Sequence, residues 1–162
     1  MVDFIVNLFA PWASFYNDHE LVATWIAFFH LAGLLWGGGR AVVADVVTLR
    51  SSSAEAFLRE GNLRFLMASH RDVIVGLAIS AITGVLMFGS DVEHYLGSWL
   101  YWVKIALVVI LLLNGVFIQR TEARLGQAEQ AEPAWGGARR HAWISLACWF
   151  GATLFGKLMV TG

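Results

Sequence analysis

The sequence has little charge, only two prolines and a single cysteine. Charged residues make up 14 % of the 162 residues, whereas about 25 % is usual for a soluble domain. One cysteine, Cys148, excludes a small fold held together by disulfides. A net charge of −1 leaves no basic surface of the kind that nucleic-acid binding requires, so no nucleic-acid partner is expected. Because prolines occur only at Pro11 and Pro133, most of the chain is free to form uninterrupted helices.

Hydrophobic residues make up 58 % of the chain, and they occur in long runs. A helix needs about 20 mainly apolar residues to cross ~30 Å of hydrocarbon at ~1.5 Å per residue. Four segments meet this requirement, at approximately 21–48, 70–89, 99–120 and 140–160. We therefore predict an all-α fold with one integral membrane domain over residues 1–162. In this domain the four spans form an antiparallel four-helix bundle in contact with the lipid bilayer.

Residues 1–18 precede the first predicted span and have a pattern of their own. Their apolar side chains recur at helical spacing, which predicts a short amphipathic helix lying on the outer membrane interface. The dipeptide Pro11–Trp12 predicts a break in this helix. No positively charged stretch comes first, as a signal peptide would require.

Lysine and arginine are distributed unequally among the connections between the spans. The first and third connections are rich in arginine, with Arg50, Arg59, Arg64, Arg71, Arg120, Arg124, Arg139 and Arg140. The connection around Asp91 and the segment before Leu21 contain neither lysine nor arginine. The positive-inside rule therefore predicts that the two basic connections face the cytoplasm and that both termini lie outside.

One histidine and one lysine lie inside the predicted spans, in the half nearer the outer surface. His30 shares a helix face with small residues, including Gly33 and Gly37, and such a face packs against neighbouring helices in lipid. Haem b between helices needs an imidazole ligand, a slot lined by small residues and cations for its propionates. His30, the two glycines and Lys104 match these needs. The alternatives are a hydrogen bond from His30 to a serine or threonine, and a lysine that extends to the interface.

A second group of candidates lies at the predicted cytoplasmic ends of the spans. His70 and His141 match in depth, and Arg71 and Arg140 are near enough in sequence to hold haem propionates. This pair is a rival haem placement, and the spacing does not choose between the two. The alternative is that both histidines cap helix ends near the lipid headgroups. Asp45 is expected to pair with a neighbouring arginine, because an ionised side chain inside a membrane needs a partner.

Two longer motifs resemble a known group of membrane proteins. They are HLAGLLWGG, which begins at His30, and LGSWLYWVK, which ends at Lys104. Together with TGVLMF from Thr83 to Phe88, they resemble the bacterial group that includes the copper-resistance D domain and the J-type protoporphyrinogen oxidase. The likeness extends over roughly residues 25–160 and is greatest to four-span relatives of the oxidase. It implies a bacterial inner-membrane protein that binds b-type haem and depends on a histidine and a lysine, which fall on His30 and Lys104.

Three hypotheses for function follow from these residues and from the resemblance. The first is a haem b protein in electron transfer, as a small subunit of a respiratory or photosynthetic complex, with quinone or other membrane subunits as partners. In this hypothesis the metal ligands come from His30, His70 and His141. The second is a cofactor-free structural or assembly subunit. The third is copper handling of the kind that the copper-resistance D resemblance implies. No enzymatic reaction is predicted.

Overall fold

The structure, a computed structural model, describes the backbone of residues 2–161 and the side chains of residues 2–159. That part of the chain is helical and contains no strand. The helices in chain order are α1 Val2–Asp18, α2 Glu20–Gly33, α3 Gly39–Arg50, α4 Ala54–Arg59, α5 Asn62–Ser90, α6 Val92–Gly97, α7 Trp99–Leu125 and α8 Ala131–Thr161. One π-helical turn, Leu34–Gly38, joins α2 to α3 without a break.

Four helical segments are long and apolar enough to cross a membrane. They are Glu20–Arg50, Asn62–Ser90, Trp99–Leu125 and Ala131–Met159. Many large hydrophobic side chains on these segments are exposed on the outer surface, which is expected where the surrounding solvent is lipid. The prediction of an all-α, multi-pass membrane bundle is therefore confirmed.

Two spans begin earlier in the structure than the hydropathy pattern predicts. Helix α5 starts at Asn62 and α8 at Ala131, because the helices continue through polar turns that do not look like membrane segments. Gly61 precedes α5 with a φ of 75°, a left-handed conformation that glycine adopts readily. Pro133 lies in the first turn of α8, where the backbone N–H groups have no intrahelical acceptor, so its missing N–H is tolerated.

The break predicted in the N-terminal helix does not occur. Helix α1 continues through Pro11 to Asp18, and Pro11 is exposed, so the carbonyl that loses its intrahelical donor can bond to solvent. Helix α1 packs across the end of α5, where Trp12 Nε1 donates to the carbonyl of Leu86 at 2.8 Å. A Cβ on Gly89 would lie 2.5 Å from the Phe9 ring. The interfacial location of α1 stays a prediction.

The four spans form two antiparallel pairs with close backbone contacts. In the first pair, α2 and the π turn pack against α5 at three glycines. A Cβ on Gly76 would lie 2.5 Å from the Cα of Gly37, and one on Gly33 would lie 2.7 Å from the Gly76 carbonyl oxygen. In the second pair, α7 and α8 pack over Gly151, which contacts Leu107. The small-residue face predicted on the first span is thus a packing face.

The two pairs are joined by α3, which packs against α8, near the helix α4. Phe57 of α4 is fully buried, and its ring lies 5.2 Å from that of Trp135 on α8. We call this the α4 end of the bundle, and the opposite end, with α1 and α6, the α6 end. Helix α4 was not predicted from the sequence. The side of the membrane on which each end lies stays a prediction.

Candidate functional site

The ring of His30 is held by α5 in a defined orientation. Its Nδ1 lies 3.0 Å from the carbonyl oxygen of Ser80 and 3.1 Å from Oγ1 of Thr83. A carbonyl oxygen only accepts hydrogen bonds, so Nδ1 carries a proton. The Thr83 hydroxyl donates to the carbonyl of Ile79 at 2.7 Å and is therefore also an acceptor for His30. In the neutral ring this arrangement leaves the lone pair on Nε2.

Nε2 of His30 has no hydrogen-bond partner among the residues that the structure describes. Gly84 lies alongside the ring, where a Cβ would be 3.4 Å from Cε1 of His30. The ammonium group of Lys104 is within electrostatic range of the ring, and its side chain crosses Gly156, where a Cβ would lie 3.3 Å from Nζ. The two residues grouped from the sequence therefore lie in the same half of the bundle.

Gly33 and Gly37 do not line a slot next to His30. Both contact the backbone of α5 directly, at Gly76 and Ser80, so helix packing occupies the space that a cofactor slot beside these glycines would need. Any planar group bound by His30 has to lie on another side of the ring.

His70 and His141 are not brought together as a pair. His70 Nε2 donates to Oε2 of Glu122 at 2.6 Å. Nδ1 of His141 lies 2.8 Å from Oδ1 of Asn114, whose Nδ2 donates to the His141 carbonyl at 2.9 Å. The His141 ring also stacks on Phe117 with centroids 5.9 Å apart. Each histidine thus has its own partner and lines a different cavity.

The candidate propionate and metal partners at the α4 end are dispersed. Arg71 and Arg140 are exposed, and Arg140 borders an open groove between α7 and α8 together with His141. Across the described residues, no three His, Cys, Asp or Glu side chains converge where a metal ion would be held.

An interior cavity of about 240 Å³ lies between α3, α5, α7 and α8, in the half of the bundle nearer α4. Its polar lining includes two acids, Asp45 and Glu122, each only 6 % exposed. Oδ2 of Asp45 and Oε1 of Glu122 are buried without a hydrogen-bond partner. Buried polar atoms are nearly always bonded, so these two oxygens mark the cavity as a candidate ligand site.

The expectation that Asp45 pairs with an arginine is wrong. The neighbouring Arg40 forms an ion pair with Asp72 instead, with Nε 3.3 Å from Oδ2, and its guanidinium lies over the Phe65 ring. Asp45 faces the hydroxyl of Ser145 on α8. Glu122 was missed altogether, because it follows the predicted end of the third span at residue 120 and resembles part of a solvated connection.

Comparison with known proteins identifies no relative of this chain. No family model matches the chain, and neither a curated protein nor a solved structure matches it. The resemblance to the copper-resistance D and oxidase group stays a prediction, and the side-chain geometry is the basis for assigning a function.

Proposed function

We propose that this protein binds b-type haem within the membrane, that His30 would hold its iron, and that the protein acts in electron transfer. The observation that carries the proposal is the hydrogen bond from Nδ1 of His30 to the Ser80 carbonyl. Histidines that bind metals almost always donate their other ring N–H to a carbonyl or carboxylate, which fixes the tautomer and the ring orientation. His30 has this arrangement, and its Nε2 is free to coordinate iron.

The residues around His30 fit such a cofactor in part. Lys104 supplies a cation for a propionate, from a helix that belongs to the other pair. The ring packs against the backbone of Gly84, where a Cβ would lie 3.4 Å from Cε1 of His30, so this contact helps to hold the imidazole beside α5. His70 and His141 are bonded to Glu122 and Asn114, so the protein contributes one imidazole to this site. When bound, the haem supplies reversible one-electron transfer.

We further propose that the protein lies in a bacterial inner membrane with both termini outside, as the arginine distribution favours. As an electron-transfer subunit it would exchange electrons with other membrane subunits or with quinone in the bilayer. The role of its own residues is to hold and orient the cofactor and to keep water from it.

A visible spectrum of the purified protein tests the proposal. We expect a reduced-minus-oxidised α band in the wild-type protein and its loss in His30→Ala. His141→Ala is the matched control, because His141 bonds to Asn114 at the other end of the bundle, and it should retain the band. A wild-type protein that retains no Soret band after reconstitution with haem and removal of the unbound haem would contradict the proposal and favour a cofactor-free subunit. A band retained in His30→Ala would place the haem elsewhere.

A further inference from the structure

The interior cavity at the α4 end holds a second ligand, and we infer that it is the headgroup of a lipid-soluble hydroquinone. The choice of a redox-active ligand rests on the proposed function. The cavity itself does not involve His30. Four observations support it: unpartnered acceptors, the size of the cavity, its apolar walls and its opening toward the bilayer.

The polar groups of the cavity call for a ligand that donates hydrogen bonds. Oδ2 of Asp45 and Oε1 of Glu122 have no partner, while the other oxygen of Glu122 is bonded by His70. A carboxylate oxygen buried without a donor is costly. Glu122 accepts from His70 through Oε2, so its Oε1 is a carboxylate oxygen that only accepts hydrogen bonds. A ligand with a hydroxyl group satisfies this oxygen, and a ligand with carbonyl groups alone does not.

The remaining walls and the volume suit a six-membered ring. A cavity of about 150 Å³ binds benzene in another protein, so about 240 Å³ has room for a substituted ring. Apolar side chains make up most of the wall, including Val73, Leu77, Leu111 and Trp149. Mostly apolar walls with a few placed polar groups are typical of small-molecule sites.

The cavity opens between α5 and α7. Ile74 on α5 and Leu112 and Val116 on α7 line the cavity and are also exposed on the outer surface of the bundle. These side chains face the hydrocarbon part of the bilayer, because they lie inside membrane spans. A ligand that enters between them must be soluble in lipid. A hydroquinone combines this property with two hydroxyl donors on one ring.

Calorimetric titration of a small hydroquinone is the direct test. Duroquinol (tetramethylhydroquinone) and its oxidised form, duroquinone, are titrated anaerobically into the full-length protein in detergent micelles, with empty micelles as blank. We expect saturable binding of duroquinol at least tenfold tighter than that of duroquinone, because the quinone carbonyls cannot donate to Oε1 of Glu122.

Two variants localise the binding. Gly115 lines the cavity, and a Cβ there meets no atom within 4 Å, so Gly115→Leu adds a side chain at the cavity wall and should weaken binding at least tenfold. Gly136→Leu is the matched control, since Gly136 is an exposed helical glycine with equally open surroundings.

The inference is overturned if neither redox form binds the wild-type protein, if both bind equally, or if Gly115→Leu binds as well as Gly136→Leu. A phospholipid that co-purifies with the wild-type protein but not with Gly115→Leu would also overturn it. His30→Ala separates this inference from the haem proposal, because duroquinol binding should persist there when the haem band is lost. Failure of duroquinol binding in a protein that retains its haem band contradicts the cavity inference alone.

Discussion

Nδ1 of His30 lies 3.0 Å from the carbonyl oxygen of Ser80, on the helix that packs directly against its own. The backbone of α5 therefore fixes the tautomer of the ring. The close approach of α2 and α5 at their glycines makes this bond possible, because larger residues would hold the two backbones apart. The glycine packing face and the orientation of His30 therefore depend on the same close approach of α2 and α5.

Thr83→Val tests the second acceptor of the His30 ring. The substitution removes Oγ1, which lies 3.1 Å from Nδ1, but keeps the volume of the side chain and the Ser80 carbonyl. Loss of a group that orients a metal ligand lowers metal affinity by about 10- to 100-fold, and we expect the lower end because one acceptor remains. Haem titration followed at the Soret band measures the effect. Thr153→Val is the control, since the Thr153 hydroxyl bonds only to its own helix; equal affinities in the two variants would contradict this role.

Gly76→Ala tests the contact between α2 and α5. The new Cβ would lie 2.5 Å from the Cα of Gly37, so the helices must separate. We expect a loss of about 1–3 kcal/mol in the free energy of unfolding, as is typical of overpacked sites. Gly136→Ala introduces the same group into open space and should be neutral or stabilising by up to about 1 kcal/mol. Denaturant titration in micelles compares them; equal stability would mean that the contact is not tight.

The spans and the inward face of His30 are predictable from the sequence because both depend on local patterns. Hydropathy locates the apolar runs, and the three- and four-residue spacing of small residues marks the packed face. The same spacing does not reveal what covers that face. A cofactor and the backbone of Gly76 both require small residues at Gly33 and Gly37, and only the structure shows that Gly76 is there.

The remaining features depend on contacts between distant parts of the chain. Phe57 lies in a short polar segment, and its burial comes from Leu125 and Trp135 on other helices. Glu122 is surrounded in sequence by charged residues, but in the fold it bonds to His70. Neither the helix α4 nor the acidic cavity has a local signal in the sequence, so hydropathy and helical periodicity miss both.

The hydrogen bond between His70 and Glu122 should stabilise the fold by more than the sum of the separate contributions of the two side chains. Nε2 and Oε2 are 2.6 Å apart and the carboxylate is buried, so removal of one partner leaves the other without its hydrogen bond. A double-mutant cycle of His70→Ala and Glu122→Ala should give a coupling free energy of about 1–3 kcal/mol. Glu132→Ala, at an exposed position of α8, should change stability by less than about 0.5 kcal/mol. Additive effects of the two substitutions in the pair would contradict the coupling.

The side of the membrane on which each end of the bundle lies can be tested with single cysteines. The sole native cysteine, Cys148, is buried, and Cys148→Ala provides a background without thiols. Glu93 on α6 and Ser52 between α3 and α4 are both exposed, so cysteines introduced there are accessible to a maleimide.

Because arginines are concentrated in the connections at the α4 end, the positive-inside rule places that end in the cytoplasm. In intact spheroplasts a membrane-impermeant maleimide should therefore label Glu93→Cys, and should label Ser52→Cys only after permeabilisation. The reverse pattern would place the His30 half on the cytoplasmic side and contradict the orientation that the arginine distribution predicts.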